Sequence, residues 1–145
     1  MKRGGFTLIE LVIAIAIIAI TAATLSLNPD SFKHTAKQEA QRLAAKLSSL
    51  MLKADSTHKH FEIKISKNKM LITWKEKKSS YKDKDFEPNP GCSISWNAPG
   101  NKLTYSYITN KYSQGATITV DGKGGPYYVI IATIGSRVRI SNIAP

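Results

Sequence analysis

One cysteine in 145 residues leaves nothing with which to form an intramolecular disulfide. Cys92 stands in Cys92-Ser93-Ile94-Ser95-Trp96, alternating with large apolar residues, and that setting reads as a buried core thiol. No CxxC, HExxH or Cys/His cluster with zinc spacing occurs, and His34, His58 and His60 sit among lysines as surface or boundary residues. There is no GxSxG, no P-loop and no carboxylate pair in a catalytic setting, so no catalytic residue, metal or cofactor is expected, and the chain does not read as an enzyme. Gly122-Lys123-Gly124-Gly125 lacks the spacing of a phosphate loop and leads into a strand pattern rather than a helix, which makes it a hairpin turn. Acidic residues are scarce as well, 10 Asp+Glu against 21 Lys+Arg, for a net charge of +11. Residues 1–27 carry only +1 of it, residues 28–87 carry +6 and residues 88–145 carry +4. An excess of this kind suits solubility and also favours anionic partners, and charge by itself does not choose between them.

The residues that are present are distributed unevenly. Met1-Lys2-Arg3-Gly4-Gly5 is short and basic, Phe6-Thr7-Leu8-Ile9-Glu10 comes next, and residues 11–27 contain no charge. A secretory signal places a small-residue cleavage site after its apolar stretch, and Thr21-Ala22-Ala23-Thr24 imitates one. Against that reading stands Glu10. A carboxylate in a membrane helix costs roughly 2.5–3.5 kcal/mol at the bilayer centre, so an acid retained at the edge of an uncharged run points to a function. Residues 6–27 make 22 residues of helix, about 33 Å at 1.5 Å per residue, enough to cross a hydrocarbon core. Lys2 and Arg3 would hold the N-terminus in the cytoplasm, placing residues 28–145 on the far side of the membrane.

Gly5-Phe6-Thr7-Leu8-Ile9-Glu10-Leu11 resembles the signature of type IV prepilins. The resemblance implies that a prepilin peptidase cuts after Gly5 and that the new terminal residue, Phe6, is N-methylated. It also makes Glu10 the acid of the motif. In a filament of packed helices, Glu10 can meet the terminal amine of Phe6 on a neighbouring subunit, which offsets the burial of both charges. The expected organisation is a leader over residues 1–5, a transmembrane and assembly helix over residues 6–27, and a periplasmic globular domain over residues 28–145.

In that domain Asn28-Pro29-Asp30-Ser31 breaks the helical pattern, and Asp30 or Ser31 can cap its continuation. Phe32, Ala36, Ala40, Leu43, Leu47, Leu50, Met51 and Ala54 recur at spacings of three and four, which predicts a helix over about residues 31–54 laying an apolar stripe on a sheet. After Asp55 the period becomes two: residues 61–65 and 70–74 flank Lys67-Asn68-Lys69 as a hairpin, and residues 75–91 form a polar, lysine-rich loop. Further short strands are expected at residues 92–96, 103–107, 116–120, 127–133 and 137–140, separated by turn residues at 97–101 and 121–126. The fold class is α+β, a long N-terminal helix packed on an antiparallel sheet.

Beyond the signature, Ala40-Gln41-Arg42-Leu43-Ala44-Ala45-Lys46-Leu47 and the C-terminal Tyr128-Val129-Ile130-Ile131 with Gly135-Ser136-Arg137-Val138-Arg139-Ile140 resemble the GspH/FimT group of minor pseudopilins and minor pilins. Two functions are implied. One is a minor pseudopilin of a type II secretion pseudopilus, whose partners are other pilins or pseudopilins, the prepilin peptidase and the inner membrane. The other is a FimT-like minor type IV pilin that captures DNA for uptake. For the second, the resemblance implies a Gly-Arg-x-Arg motif, and here Ser136 stands between Gly135 and Arg137. On a strand Arg137 and Arg139 face one side, where they can reach successive phosphates.

Overall fold

The computed structural model describes residues 8–26, 35–76 and 80–145. The chain divides into two units, Met1–Lys33 and His34–Pro145. In the first, helix α1 runs over Leu8–Ser26, 19 residues with Glu10 in its first turn, where a carboxylate complements the helix dipole. Among the described residues no helix is long and apolar enough to cross a membrane. At 1.5 Å per residue α1 reaches about 28 Å, just short of a hydrocarbon core of about 30 Å, and the expected span over residues 6–27 extends past it at both ends.

The second unit begins with helix α2, Ala36–Thr57. Its start is a capping box: the Gln38 N–H donates to the Thr35 hydroxyl, and the Thr35 N–H donates to the Gln38 side-chain oxygen. Its end is a left-handed residue, His58, whose N–H bonds the Ala54 carbonyl. The helix therefore ends three residues past the expected boundary, and the proposed caps Asp30 and Ser31, with Phe32, lie outside the described residues. Ala36, Ala40, Leu43, Leu47, Leu50 and Ala54 are buried, as their spacing requires, while Met51 is only half-buried. Each fully buried leucine contributes on the order of 2 kcal/mol.

Among the described residues nine strands follow, in two antiparallel sheets, which gives the expected helix on antiparallel sheet its detailed form. The first contains β1 (His60–Ser66), β2 (Lys69–Lys75), β3 (Ser80–Lys82), β5 (Leu103–Ser106) and β6 (Lys111–Tyr112), in the order β3-β2-β1-β5-β6. The second contains β4 (Ser93–Trp96), β7 (Ala116–Asp121), β8 (Tyr127–Ile131) and β9 (Val138–Ser141), in the order β4-β7-β8-β9. Helix α2 lies on β7, β8 and β9 and also touches β1. Between the layers, Phe61, Ile63, Ile72, Trp74, Leu103, Tyr105, Ile118 and Val129 are fully buried in one continuous core.

Two small features lock this arrangement. At the β1–β2 turn Lys67 and Asn68 both have positive φ, and the Asn68 side chain reaches the other sheet, accepting the Ile94 N–H at 2.6 Å and donating to the Cys92 carbonyl. At the β7–β8 hairpin, Gly122 has no room for a side chain: a Cβ there would lie 2.8 Å from the Cys92 sulfur and 3.5 Å from the Ala36 Cβ. Gly122-Lys123-Gly124-Gly125 is thus a turn, as its sequence suggests, and it also ties the sheet to α2 through the bond from the Ala36 N–H to the Lys123 carbonyl. The lysine-rich segment after β2 is not all loop. It holds β3, and Phe86 returns to pair with Met70 through two backbone hydrogen bonds of 2.9 Å.

Candidate functional site

Helix α1 is apolar on every side. Leu8, Ile9, Leu11, Val12, Ile13, Ile15, Ile17, Ile18 and Ile20 are each more than half exposed, so no stripe is set aside for an internal core. A helix without a polar face is stable only in an apolar surround, either lipid or other helices. Thr21 is compatible with such a surround, because its hydroxyl can donate to the Ile17 carbonyl at 3.0 Å or that of Ile18 at 2.9 Å and needs no acceptor from bulk solvent. Of the residues expected to be processed or to direct assembly, Glu10 lies in this helix and is exposed, whereas Gly5 and Phe6 lie outside the described residues.

Arg137 and Arg139 are both exposed. The expected strand over residues 137–140 begins one residue later, at Val138, so Arg137 precedes β9 in extended conformation and Arg139 lies within it. Arg139 pairs with Ile130, while Val138 pairs with the buried Ile131, so Arg139 is on the sheet face away from α2. Ser136, the residue between the glycine and the arginines, is not a surface insertion. It is buried at φ 45°, in a short 3-10 turn over Ile134–Ser136, and its hydroxyl donates to the Asn110 carbonyl at 2.7 Å. Asn110 in turn lies 2.6 Å from the Tyr105 hydroxyl, which donates to Asp55 near the end of α2. Burial, then the Asp55 carboxylate, pushes the Tyr105 phenol up to about 12, and the hydroxyl keeps its proton as the donor this network needs.

A buried carboxylate escaped the sequence reading. Glu39 is 1% exposed and faces the core side of α2 beside Ala36 and Ala40. It receives the Arg42 guanidinium at 3.0 Å and the Asn89 amide at 2.5 Å. Arg42 also donates to the Glu87 carbonyl and stacks over Phe86 at 4.4 Å. Together these contacts strap residues 86–89 to the helix and border an open groove of about 630 Å³, which Lys46, Lys84 and Asp85 also line. With its cation already neutralised by Glu39, the cluster is a structural clamp. The signal was in the pattern: position 39 is three residues after Ala36 and four before Leu43, inside the apolar stripe.

Cys92 is buried, and burial, with the nearby Glu39 charge, pushes its thiol up, away from the reactive thiolate. His58 and His60 pack edge-on and tilted against Tyr107 at 5.6 and 4.8 Å, as boundary residues do. His34 lies outside the described residues. Among the described residues, no group of three or more His, Cys, Asp or Glu is placed to hold a metal.

Residues 1–26 match the prokaryotic N-terminal methylation motif. No curated protein sequence matches the chain. Among solved structures, the minor pseudopilin EpsH from the type 2 secretion system of Vibrio cholerae is similar in fold, with a TM-score of 0.61 at 15% identity, over 75% of this chain and 98% of that one. The α+β architecture expected from the sequence is therefore present, and it is similar to the fold of that pseudopilin. The chain thus joins a prokaryotic N-terminal methylation motif over residues 1–26 to a fold similar to that of a minor pseudopilin.

Proposed function

We propose that the chain is a minor pseudopilin of a type II secretion pseudopilus, a structural subunit rather than an enzyme. In this reading prepilin peptidase cleaves between Gly5 and Phe6 and Phe6 is N-methylated. Residues 6–27 then hold the subunit in the inner membrane, with residues 28–145 on the periplasmic side, until the helix passes into the filament. The observation that carries the reading is α1 itself: apolar side chains exposed on all sides, and one acid in the first turn. Such a helix needs two successive apolar surrounds, bilayer and then neighbouring helices, and Glu10 is useful only in the second, where it faces the amine of another subunit. The likeness to a secretion-system pseudopilin supports the choice of system.

Glu10→Ala tests it. The substitution should leave membrane insertion unchanged or improved, because it removes a charge from an apolar segment, and should lower the fraction of this subunit recovered in sheared filaments. Equal recovery of the variant and the parent would rule out the intersubunit ion pair.

A second reading has its own support. Arg137 and Arg139 are exposed and neither forms a salt bridge among the described residues, so both are open to phosphates in a DNA-capturing minor pilin. The buried Ser136 gives this loop a different build from an uninterrupted Gly-Arg-x-Arg, and for that reason the assembly reading is preferred.

A further inference from the structure

Of the four strands that end the two sheets, three are guarded against further pairing among the described residues. At β4 the Asn68 side chain takes the outward Ile94 N–H and donates to the Cys92 carbonyl. β6 is two residues long and lies against the 3-10 turn over Ile134–Ser136. β3 is three residues long and carries the exposed Lys82, a charge that discourages pairing at an edge. β9 has no such guard. The Ala132 N–H donates to the Arg137 carbonyl, and antiparallel bonds alternate along a strand, so Arg137, Arg139 and Ser141 turn their backbone groups to β8. Val138 and Ile140 therefore turn an N–H and a carbonyl each to the outside, and no described group takes them.

The surroundings of this edge say what would pair with it. On the α2 side lies an open groove of about 310 Å³, lined by Lys37, Gln41, Tyr127 and Ile140, in which Ile140 is 37% exposed. On the other side Arg137 and Arg139 stand exposed, two residues apart and in no salt bridge among the described residues. The occupant must bring backbone groups for a ladder, apolar side chains for one face and acids for the other. Nucleic acid has no ladder to offer. A second copy has no suitable strand: its own open edge is β9, and pairing Val138 with Ile140 sets Arg139 against Arg139. Its unbridged side-chain carboxylates in the globular unit are Asp85 and Asp121. Asp121 ends β7, which is paired on both sides, and Asp85 precedes Phe86, whose backbone is bonded to Met70.

We propose that β9 accepts an extended acidic segment of another polypeptide, in which apolar and acidic residues alternate, as an added strand of the second sheet. Ladder bonds to Val138 and Ile140 hold the segment. Its apolar side chains lie toward the groove, and its acids meet Arg137 and Arg139, which select them over basic residues. This site is separate from α1 and does not depend on assembly through that helix.

The test uses the isotope-labelled full chain in detergent and a synthetic peptide of alternating valine and glutamate. At saturating peptide, hydrogen exchange of the Val138 and Ile140 amides should slow about tenfold or more, as newly bonded N–H groups do. The Lys82 amide, at the edge of the other sheet, should keep its rate. Peptide valines opposite Val138 and Ile140 point their N–H groups at β9, so a peptide N-methylated at its valines should not bind, and one N-methylated at its glutamates should. Exchanging the glutamates for lysine, or Arg139→Glu in the protein, should weaken binding about fivefold or more, a cross-strand charge pair being worth about 1 kcal/mol. Ile140→Pro removes an N–H that the fold leaves outside, so it should keep the fold and lose the peptide. Indifference to valine methylation, equal binding of the lysine peptide, protection at Lys82 instead, or no binding would each overturn the proposal. So would the same protection produced by duplex DNA or by raising the protein concentration alone.

Discussion

At the scale of single residues, the side chains that matter to the fold are charged ones held in unusual surroundings. Asp83 is the clearest. Burial acts to raise its pKa, but hydrogen bonds from the Trp74 indole, the Lys53 ammonium and the Lys84 N–H outweigh it and pull the carboxyl down to about 2 from 3.8. A carboxyl depressed on folding contributes stability that is complete above its unfolded value and is lost as pH falls through the folded one. The window here runs from about pH 4 down to about pH 2. Asp83→Asn should therefore lower the melting temperature at pH 6, and the gap from the parent should close as pH drops through that window. Melts at pH 6, 4, 3 and 2 measure it, and a constant gap would show that Asp83 acts through shape alone. Lys53 also lies over the Trp74 ring at 4.9 Å, so the same three residues join α2 to the first sheet.

At the scale of elements, packing at the β7–β8 hairpin is tight enough to be tested directly. Gly122→Ala places a methyl 2.8 Å from the Cys92 sulfur, against backbone that cannot withdraw far. It should destabilise the domain by about 1–3 kcal/mol in urea titration, and Cys92→Ala in the same chain should recover part of that loss. Simple additivity of the two changes would contradict the contact. The elements also show what local sequence does and does not carry. The α2 stripe was legible because burial on one helix face imposes a spacing of three and four, and the β1–β2 hairpin because burial on one sheet face imposes alternation. β6 was not, being two residues, Lys111–Tyr112, with no period to read. β3 hid among lysines that face solvent at the edge of a sheet. The division into two sheets depends on β1 pairing with β5 some forty residues on, a long-range choice that no window of local periodicity contains. At the C-terminus, Arg137 and Arg139 were found by charge, but the buried Ser136 beneath them was not, since its role comes from Asn110 across the fold.

At the scale of the whole molecule the question is what a +11 chain with an all-round apolar helix is for. If it captures DNA, the full chain in detergent should bind unrelated duplexes with log K falling by about 0.9 per phosphate contact for each unit of log salt. Arg137→Ala with Arg139→Ala should then reduce affinity and flatten that slope by up to about two contacts. Assembly as the main role predicts weak, diffuse binding that the double substitution leaves almost unchanged, because the many surface lysines supply it. The central claim, however, is that this is a processed, filament-building subunit, and it is tested most directly at the N-terminus. Intact-mass and N-terminal peptide measurement of protein extracted from the membrane should show a chain that begins at Phe6 and carries one added methyl on its amine. A chain that begins after Ala22 or Ala23, or one that retains Lys2 and Arg3, would contradict the account.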